Sequence, residues 1–326
     1  MANNDEITFD EDLEPPPVKS TQRKLMTDII TGGTAASLAC VFSNPFEVVK
    51  TRLQLQGEMA NSAAQGRVYK GLIDAFMKIP REEGVLAIQK GLVPGMVYQF
   101  FMNGARLGIY PTLKRLLNDD GSHSPMNVLR QIGAGATSGA IGAVIGSPFF
   151  MVKCRLQAMS KIAKNSGTLH ANQYDYKGMV DGLVKVYKEE GMSGWFRGID
   201  GAVPRVMVGS ASQLATYETV KQRILALGYL HDGILCHFSS SMVSGIVVTT
   251  IMNPFDVVST RLYTQPQGAK RIYSGPVDCF IKTARAEGLG GFFKGWTAHY
   301  ARLGPHTVLC LVFWEQVRNL AHKFGF

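Results

Sequence analysis

The chain has 326 residues, a formal net charge of +9 and a mean hydropathy near zero, +0.04. A soluble chain of this length divides into two or three domains of about 100–150 residues, yet residues 29–46, 131–152 and 233–255 carry no charged side chain. Segments of about 18–22 apolar residues can cross a hydrocarbon core as helices, so a membrane protein is the better reading. The charge is unevenly placed. Residues 1–24 hold six acids and three bases, which leaves that segment at −3 and the remainder at +12. The acid-rich start, ending in Pro15-Pro16-Pro17, reads as a disordered tail and lacks the Arg-rich character of a transit peptide. The basic excess lies in loops beside apolar spans, which argues for a positive-inside bias over nucleic-acid binding. Five cysteines (Cys40, Cys154, Cys236, Cys279, Cys310) form no CxxC pair and no spacing with histidine that would hold a metal, so packing is their expected role.

In chain order, residues 25–54 read as one long helix, with Gly32-Gly33 and Ala35-Ala36 allowing a neighbour to approach closely and Pro45 removing a backbone donor. A polar loop, 55–71, precedes a short amphipathic helix at 74–83, and a second long helix with Gly104 and Gly108 on one face follows from 91 to about 117. The plan then repeats. Residues 126–157, with Gly135 and Gly139 four apart, form a third long helix, 179–190 a short one, and 198 to about 227 a fourth. Last come 232–263, with Ser240 and Ser244 on a small face, then 277–287, and 295 to about 323. The expected fold is all-α: six transmembrane helices in three tandem repeats, with a short helix inside each repeat. The divisions are a tail at 1–24 and repeats at 25–118, 119–227 and 228–326.

Two motifs recur with this plan. NPFEVVKTRLQ at 44–54 returns as SPFFMVKCRLQ at 147–157 and NPFDVVSTRLY at 253–263, with Pro45, Pro148 and Pro254 spaced 103 and then 106 positions apart. After each comes a second cassette: EEG and KG at 82–91, EEG and WFRG at 189–198, EG and FFKG at 287–295. Linked motifs at one period indicate internal triplication. The odd-numbered long helices are free of charge up to their proline, whereas the even-numbered ones carry Arg106, Arg205 and Arg302 within the apolar body. An ionised side chain in a span costs about 2.5–3.5 kcal/mol on insertion scales and so ordinarily faces a wet interior where it has a function.

The pattern Pro-x-acid-x-x-Lys-x-Arg, written three times with its EG and KG cassette, resembles the mitochondrial carrier family over residues 25–323. YARLGPHTVL at 300–309, ARLGIY at 105–110, GAVIGSPFFMVK at 142–153, FRGIDGAV at 196–203 and MNPFDVVSTR at 252–261 are similar to its dicarboxylate branch. The resemblance implies a pseudo-threefold bundle around a central cavity, with the short helices on the matrix side, closed alternately by ionic gates at its two ends. It also implies a multi-pass protein of the mitochondrial inner membrane, its N-terminus in the intermembrane space. The cargo it implies is small dianions such as oxaloacetate, sulfate, malonate or an isopropylmalate-like dicarboxylate, moved by proton symport or anion exchange. An oxoglutarate/malate-type exchanger is the alternative.

Carried over by position, the matrix gate comprises Glu47, Lys50, Lys153 and Asp256, with Glu47 meeting Lys153 and Asp256 meeting Lys50. The third pair would join Phe150 to Ser259, neither charged, so one bridge is lost with both partners together, as the cost of an unpaired buried charge favours. Gln54 and Gln157 stand where the family places bracing glutamines, and Tyr263 replaces the third. The cytoplasmic gate is expected from Lys114, Glu218, Lys221, Glu315 and Arg318, pairing Glu218 with Arg318 and Glu315 with Lys114, while Pro111 stands where the remaining acid would be. The substrate positions are Tyr98, Gln99, Arg205, Val206 and Arg302. Two guanidiniums suit a small dianion because each can clamp an oxygen pair. Tyr98 stands where oxoglutarate-type carriers have arginine. Gln99, Asn103 and Gln213 are either donors to a keto or hydroxyl oxygen or helix–helix contacts, Arg106 is structural or substrate-facing, and His306 is a proton site or a packed neutral imidazole.

A receptor or scaffold has no need of midspan arginines and two gate sets. An enzyme needs a nucleophile–base or metal constellation, and the sequence offers neither, nor a cofactor motif. The expected partners are small anions and inner-membrane lipids, with cardiolipin at the short-helix N-termini; no nucleic acid is expected, and the working unit is a monomer.

Overall fold

A computed structural model describes residues 18–58, 68–117, 125–161, 174–228, 233–265 and 271–323; the acidic start and the centres of the polar loops lie outside the described residues. Nine α-helices are described: α1 (Val18–Leu55), α2 (Leu72–Glu83), α3 (Leu92–Leu116), α4 (Pro125–Ala158), α5 (Met179–Gly194), α6 (Ile199–Ala226), α7 (Ile234–Thr264), α8 (Pro276–Glu287) and α9 (Trp296–Lys323). The first helix begins at Val18, seven residues before Leu25. Among the described residues α1, α4 and α7 contain stretches long and apolar enough to cross a membrane, Leu25–Leu55, Met126–Ala158 and Leu235–Thr264. The arginine-bearing α3, α6 and α9 are equally part of the bundle but contain no such stretch.

The six long helices form a closed ring in which each packs on its two neighbours: α1 on α3 and α9, α4 on α3 and α6, α7 on α6 and α9. Small residues make these approaches close. A Cβ on Gly33 would meet Phe100 at 2.9 Å, one on Gly108 would meet Ile29 at 2.8 Å, and one on Gly142 would meet the Met102 carbonyl oxygen at 2.9 Å. The odd helices also touch one another, and they do so where each carries its proline-proximal charges. There Lys50 joins α1 to α7 and Lys153 joins α4 to α1.

The short helices lie against the same end. Each begins with an aspartate reaching back to the chain four residues earlier: Asp74 accepts from Lys70 N–H at 2.8 Å, Asp181 from Lys177 at 2.8 Å, and Asp278 from Ser274 at 2.9 Å. α2 and α8 end at a left-handed glycine, Gly84 or Gly288, and at the matching position Gly191 α5 is kinked. A second left-handed glycine, Gly91, Gly198 or Gly295 (φ 73°, 84° and 75°), then opens the following long helix.

The EG and KG cassettes owe their recurrence to a buried ion cluster in every repeat. Arg52 clamps Glu83 with two bonds of 2.8 and 2.9 Å, and Lys90 reaches the same carboxylate at 3.0 Å. Arg155 and Arg197 share Glu190 at 2.9 and 2.7 Å, and Arg261 and Lys294 share Glu287 at 2.9 and 2.6 Å. The arginines then cap the next repeat's helix C-terminus, where carbonyls lack intrahelical donors. Arg52 donates to the carbonyls of Gln157 and Met159, Arg155 to that of Tyr263, and Arg261 to that of Gln54. A cyclic set of caps thus ties each repeat to the next.

Two stability tests follow from this packing. Burial raises the Glu83 pKa, but the Arg52 bonds and charge, with Ser160 and Lys90, outweigh it and hold the carboxyl down at about 2. The contribution of this cluster is therefore complete above the ordinary carboxylate pKa near 4.5 and is lost as pH falls from there toward 2. Glu83→Gln strands Arg52, whose side chain is only 2 % exposed. It is expected to destabilise the detergent-solubilised protein by about 3 kcal/mol at pH 7 and to flatten the acid limb of its thermal-melting profile. At Gly295 a Cβ would lie 3.1 Å from the Lys50 carbonyl oxygen, whereas at Gly288 it would meet nothing within 4 Å. Both have positive φ, so Gly295→Ala should lower the melting temperature more than Gly288→Ala, by the clash alone.

Candidate functional site

Pro45, Pro148 and Pro254 sit inside α1, α4 and α7, and the charged positions just beyond them converge. Lys50 Nζ lies 2.8 Å from Asp256 Oδ2, and Lys153 pairs with Glu47. All four side chains are nearly closed to solvent. Their charges therefore attract through a medium less polarisable than water, and each needs its partner. Gln54 donates to Asp256 at 2.7 Å and accepts from Thr260 at 3.0 Å, so it braces one pair. Gln157 does not brace the other. Its amide donates to Asn44 Oδ1 and accepts from Thr51 Oγ1, at 3.1 and 3.0 Å, because these side chains lie within its reach on α1.

At the third side Phe150 and Ser259 are both buried, and Phe150 carries an aromatic stack. Its ring centroid is 4.8 Å from that of Tyr98 and 5.1 Å from that of Tyr263, which meets it edge-on. The Tyr263 hydroxyl lies 3.3 Å from Ser147 Oγ. Ser259 Oγ is buried with no hydrogen-bond partner.

The sequence assigned no acidic neighbour to the two substrate-position arginines, and here the structure differs. Arg302 on α9 donates to Glu47 Oε1 at 2.9 Å. Arg205 on α6 approaches Asp256 Oδ1 at 3.6 Å, donates to the Tyr98 hydroxyl at 3.3 Å, and rests over the Phe150 ring at 4.7 Å. A cation over an aromatic face gains about 0.5–2 kcal/mol without having its charge cancelled. The Nε–H groups of both arginines are buried without an acceptor. These contacts span up to 255 positions, and the signal for them in the sequence is its threefold repeat. Each acid position on an odd helix faces the site position of the even helix that precedes it around the ring.

The other expected residues spread more widely. Gln99 is buried and its amide nitrogen lies 3.0 Å from His306 Nε2, while His306 Nδ1 lies 3.0 Å from Ser43 Oγ. An amide nitrogen only donates, so the ring accepts at Nε2 and is the neutral Nδ1–H tautomer. Val206 is buried and aimed at α4, where a Cβ on Gly139 would meet it at 2.9 Å. Asn103 is turned back on the Gln99 carbonyl, and Gln213 is exposed. Arg106 is half-buried on the same stripe of α3 as Gln99 (i, i+7), about two turns further toward the opposite end.

At that opposite end the two anticipated pairs are not formed. Glu218, Glu315 and Arg318 are exposed. Glu218 makes no ion pair with Arg318, nor Glu315 with Lys114, and Lys221 lies half-buried nearby on α6. Arg318 instead stacks over Trp314 of its own helix at 5.2 Å. The cause is the shape of the bundle: α3, α6 and α9 pack on odd helices rather than on one another, so their far ends do not converge.

Two comparisons with known proteins bear on the family. The family model for "Mitochondrial carrier protein" matches at residues 21–121, 124–226 and 231–325, the three repeats in turn. The mitochondrial oxaloacetate transport protein of Saccharomyces cerevisiae is 42% identical over 90% of this chain and 89% of its own. Solute carrier family 25 member 35 of Homo sapiens is 43% identical over 90% and 98%, and the mitochondrial 2-oxoglutarate/malate carrier protein of Mus musculus 40% over 90% of each. With all three repeats matched and relatives similar over nearly their whole length, this chain belongs to the mitochondrial carrier family.

Proposed function

We propose that the protein carries small dianions across the mitochondrial inner membrane by alternating access, with oxaloacetate, sulfate and related dicarboxylates such as malonate as its preferred cargo. One observation carries the reading: Arg205 and Arg302, on two different helices of the ring, each keep a buried Nε–H without an acceptor. A dianion offers two separate oxygen clusters to meet two such guanidiniums. Tyr98, Gln99 and Val206 complete the site, with Tyr98 and Gln99 as hydrogen-bonding neighbours and Val206 as packing.

In this reading Glu47, Lys50, Lys153 and Asp256, with Gln54, close the matrix end, and the structure represents the state open to the opposite side. Lys114, Glu218, Lys221, Glu315 and Arg318 are the groups that meet when the other end closes. A ring of six helices closed on itself needs no second copy, so the working unit is the monomer. The N-terminus then faces the intermembrane space. The matrix-side helix N-termini present backbone N–H groups that suit the phosphates of an anionic lipid such as cardiolipin. The relative named as a 2-oxoglutarate/malate carrier favours a second reading, exchange of those dicarboxylates; Tyr98, in place of an arginine, weakens it.

Two measurements in proteoliposomes test the proposal. Arg205→Ala and Arg302→Ala should each slow uptake of labelled malonate and sulfate by at least about thirtyfold. Helix content should stay unchanged, since Glu47 keeps Lys153 and Asp256 keeps Lys50. Retained uptake in either variant removes that arginine from the site. A net charge crossing a potential costs about 2.3 kcal/mol per 100 mV, so a bare dianion moving into a negative matrix faces roughly twice that and needs compensation. His306 is held as a neutral acceptor between α1 and α3, which leaves the proton to travel with the substrate. An acidic exterior should therefore accelerate uptake into vesicles free of internal anion. Uptake indifferent to the pH gradient, yet dependent on internal dicarboxylate, would establish strict exchange instead.

A further inference from the structure

The three sides of the closed end are built alike, each from three residues on three helices. The first holds Glu47 of α1, Lys153 of α4 and Arg302 of α9, with the carboxylate bonded to both cations. The second holds Asp256 of α7, Lys50 of α1 and Arg205 of α6, again with the carboxylate between two cations, at 2.8 and 3.6 Å. By the same rotation the third consists of Phe150 of α4, Ser259 of α7 and Tyr98 of α3, and Tyr98 does lie against Phe150. Acid, base and site residue have all become uncharged together.

Two carboxylates set against two ammoniums and two guanidiniums leave the ring with two positive charges. Neighbouring imidazoles do not alter the count. His306 accepts a hydrogen bond at Nε2 from the Gln99 amide. His299 Nδ1 lies 3.3 Å from Asn253 Oδ1, to which it donates, and its Nε2 is buried without a partner. The His306 ring is a neutral tautomer by hydrogen bonding, and protonating His299, whose Nδ1 also lies 4.0 Å from Asp256 Oδ2, would strand a buried Nε2–H without an acceptor. Arg106 stands about 12 Å along α3 from Tyr98, outside the ring.

We infer that the uncharged third side, Tyr98 with Phe150 and Ser259, sets the charge of the cargo at two. The inference rests on the transport reading above and deepens it. A dianion brings the ring to neutrality. A monoanion leaves one buried positive charge uncompensated, and a trianion leaves one negative charge over, in a place where uncompensated charge is costly. Phe150 serves this balance because it seats the Arg205 guanidinium at 4.7 Å without neutralising it. A carboxylate at 150 would sit beside that guanidinium, remove one charge from the ring and compete with the cargo. Lysine at the buried, unpartnered Ser259, or arginine at Tyr98, would add one.

The test is a charge ladder, read as the ratio of citrate to malonate uptake and of malonate to pyruvate uptake by the full-length protein in proteoliposomes at neutral pH. Phe150→Asp lowers the ring to one positive charge. Wild type and the double variant Phe150→Asp with Ser259→Lys both have two; Ser259→Lys and Tyr98→Arg each have three. The citrate-to-malonate ratio is expected to rise by about tenfold in both three-charge variants. It should stay at the wild-type value in the double variant, while Phe150→Asp shifts preference toward pyruvate. Ser259→Lys enlarges its side chain whereas Tyr98→Arg hardly changes volume, so a rise shared by both separates charge from molecular size. A flat ladder, a double variant that shifts the ratio, or two three-charge variants that move neither citrate nor malonate while wild type is active would each overturn the inference. Wild-type protein that moves none of the three anions would instead overturn the transport reading on which it stands.

Discussion

Ionised side chains sealed between helices must be paired, and at the proline end of this bundle that requirement governs the arrangement of everything around it. Lys50, Lys153, Glu47 and Asp256 are almost wholly removed from solvent. Each therefore holds its odd helix against the next for as long as nothing better is offered to its partner. The even helices enter the same arrangement through Arg302 and Arg205, which share the carboxylates already held by the lysines. In the proposed reading, gate and binding position are thus one electrostatic unit. A charged cargo arriving among these arginines would then act on the closure itself, with no relay through the helices needed.

Beneath this unit lies a second, more permanent one. Glu83, Glu190 and Glu287 each gather two cations, and Arg52, Arg155 and Arg261 cap the helix ends of the adjoining repeats. The intra-repeat bonds keep each short helix fixed to its own odd helix, while the inter-repeat caps, made by buried arginines, tie the ends of the odd helices to one another. Because the caps point at backbone carbonyls, they depend on helix ends meeting and not on particular partners. This is how three sequences as different as the loops they follow can share one construction.

The third side shows what physical chemistry permits when a symmetric motif is broken. Loss of the acid at 150 alone would leave a lysine stranded, and loss of the lysine at 259 alone would strand an acid. With both uncharged, the space is taken by Tyr98, Phe150 and Tyr263 in mutual ring contact. Aromatic packing replaces ionic closure there, and the neighbouring Arg205 gains a seat that leaves its charge intact.

Much of this was legible in the residue order. The triplication, the six long helices and the small faces at Gly33, Gly108 and Gly139 follow from periodic spacing, while the juxtaposition of Glu47 with Lys153 and of Asp256 with Lys50 came with the resemblance to the family. One helical repeat applied three times leaves little freedom. What the order of residues did not decide is how far each helix is rotated and tilted in the ring. That choice turned Gln157 from the Glu47–Lys153 pair toward Asn44 and Thr51, brought Arg302 to Glu47 and laid Arg205 on Phe150. It also left the far ends of α3, α6 and α9 apart, so that Glu218 and Arg318 do not meet. Local sequence fixes which side chains lie on one helix face, through bonds of fixed length and pitch. Which faces meet across up to 255 positions is settled only by the simultaneous packing and charge pairing of all six helices.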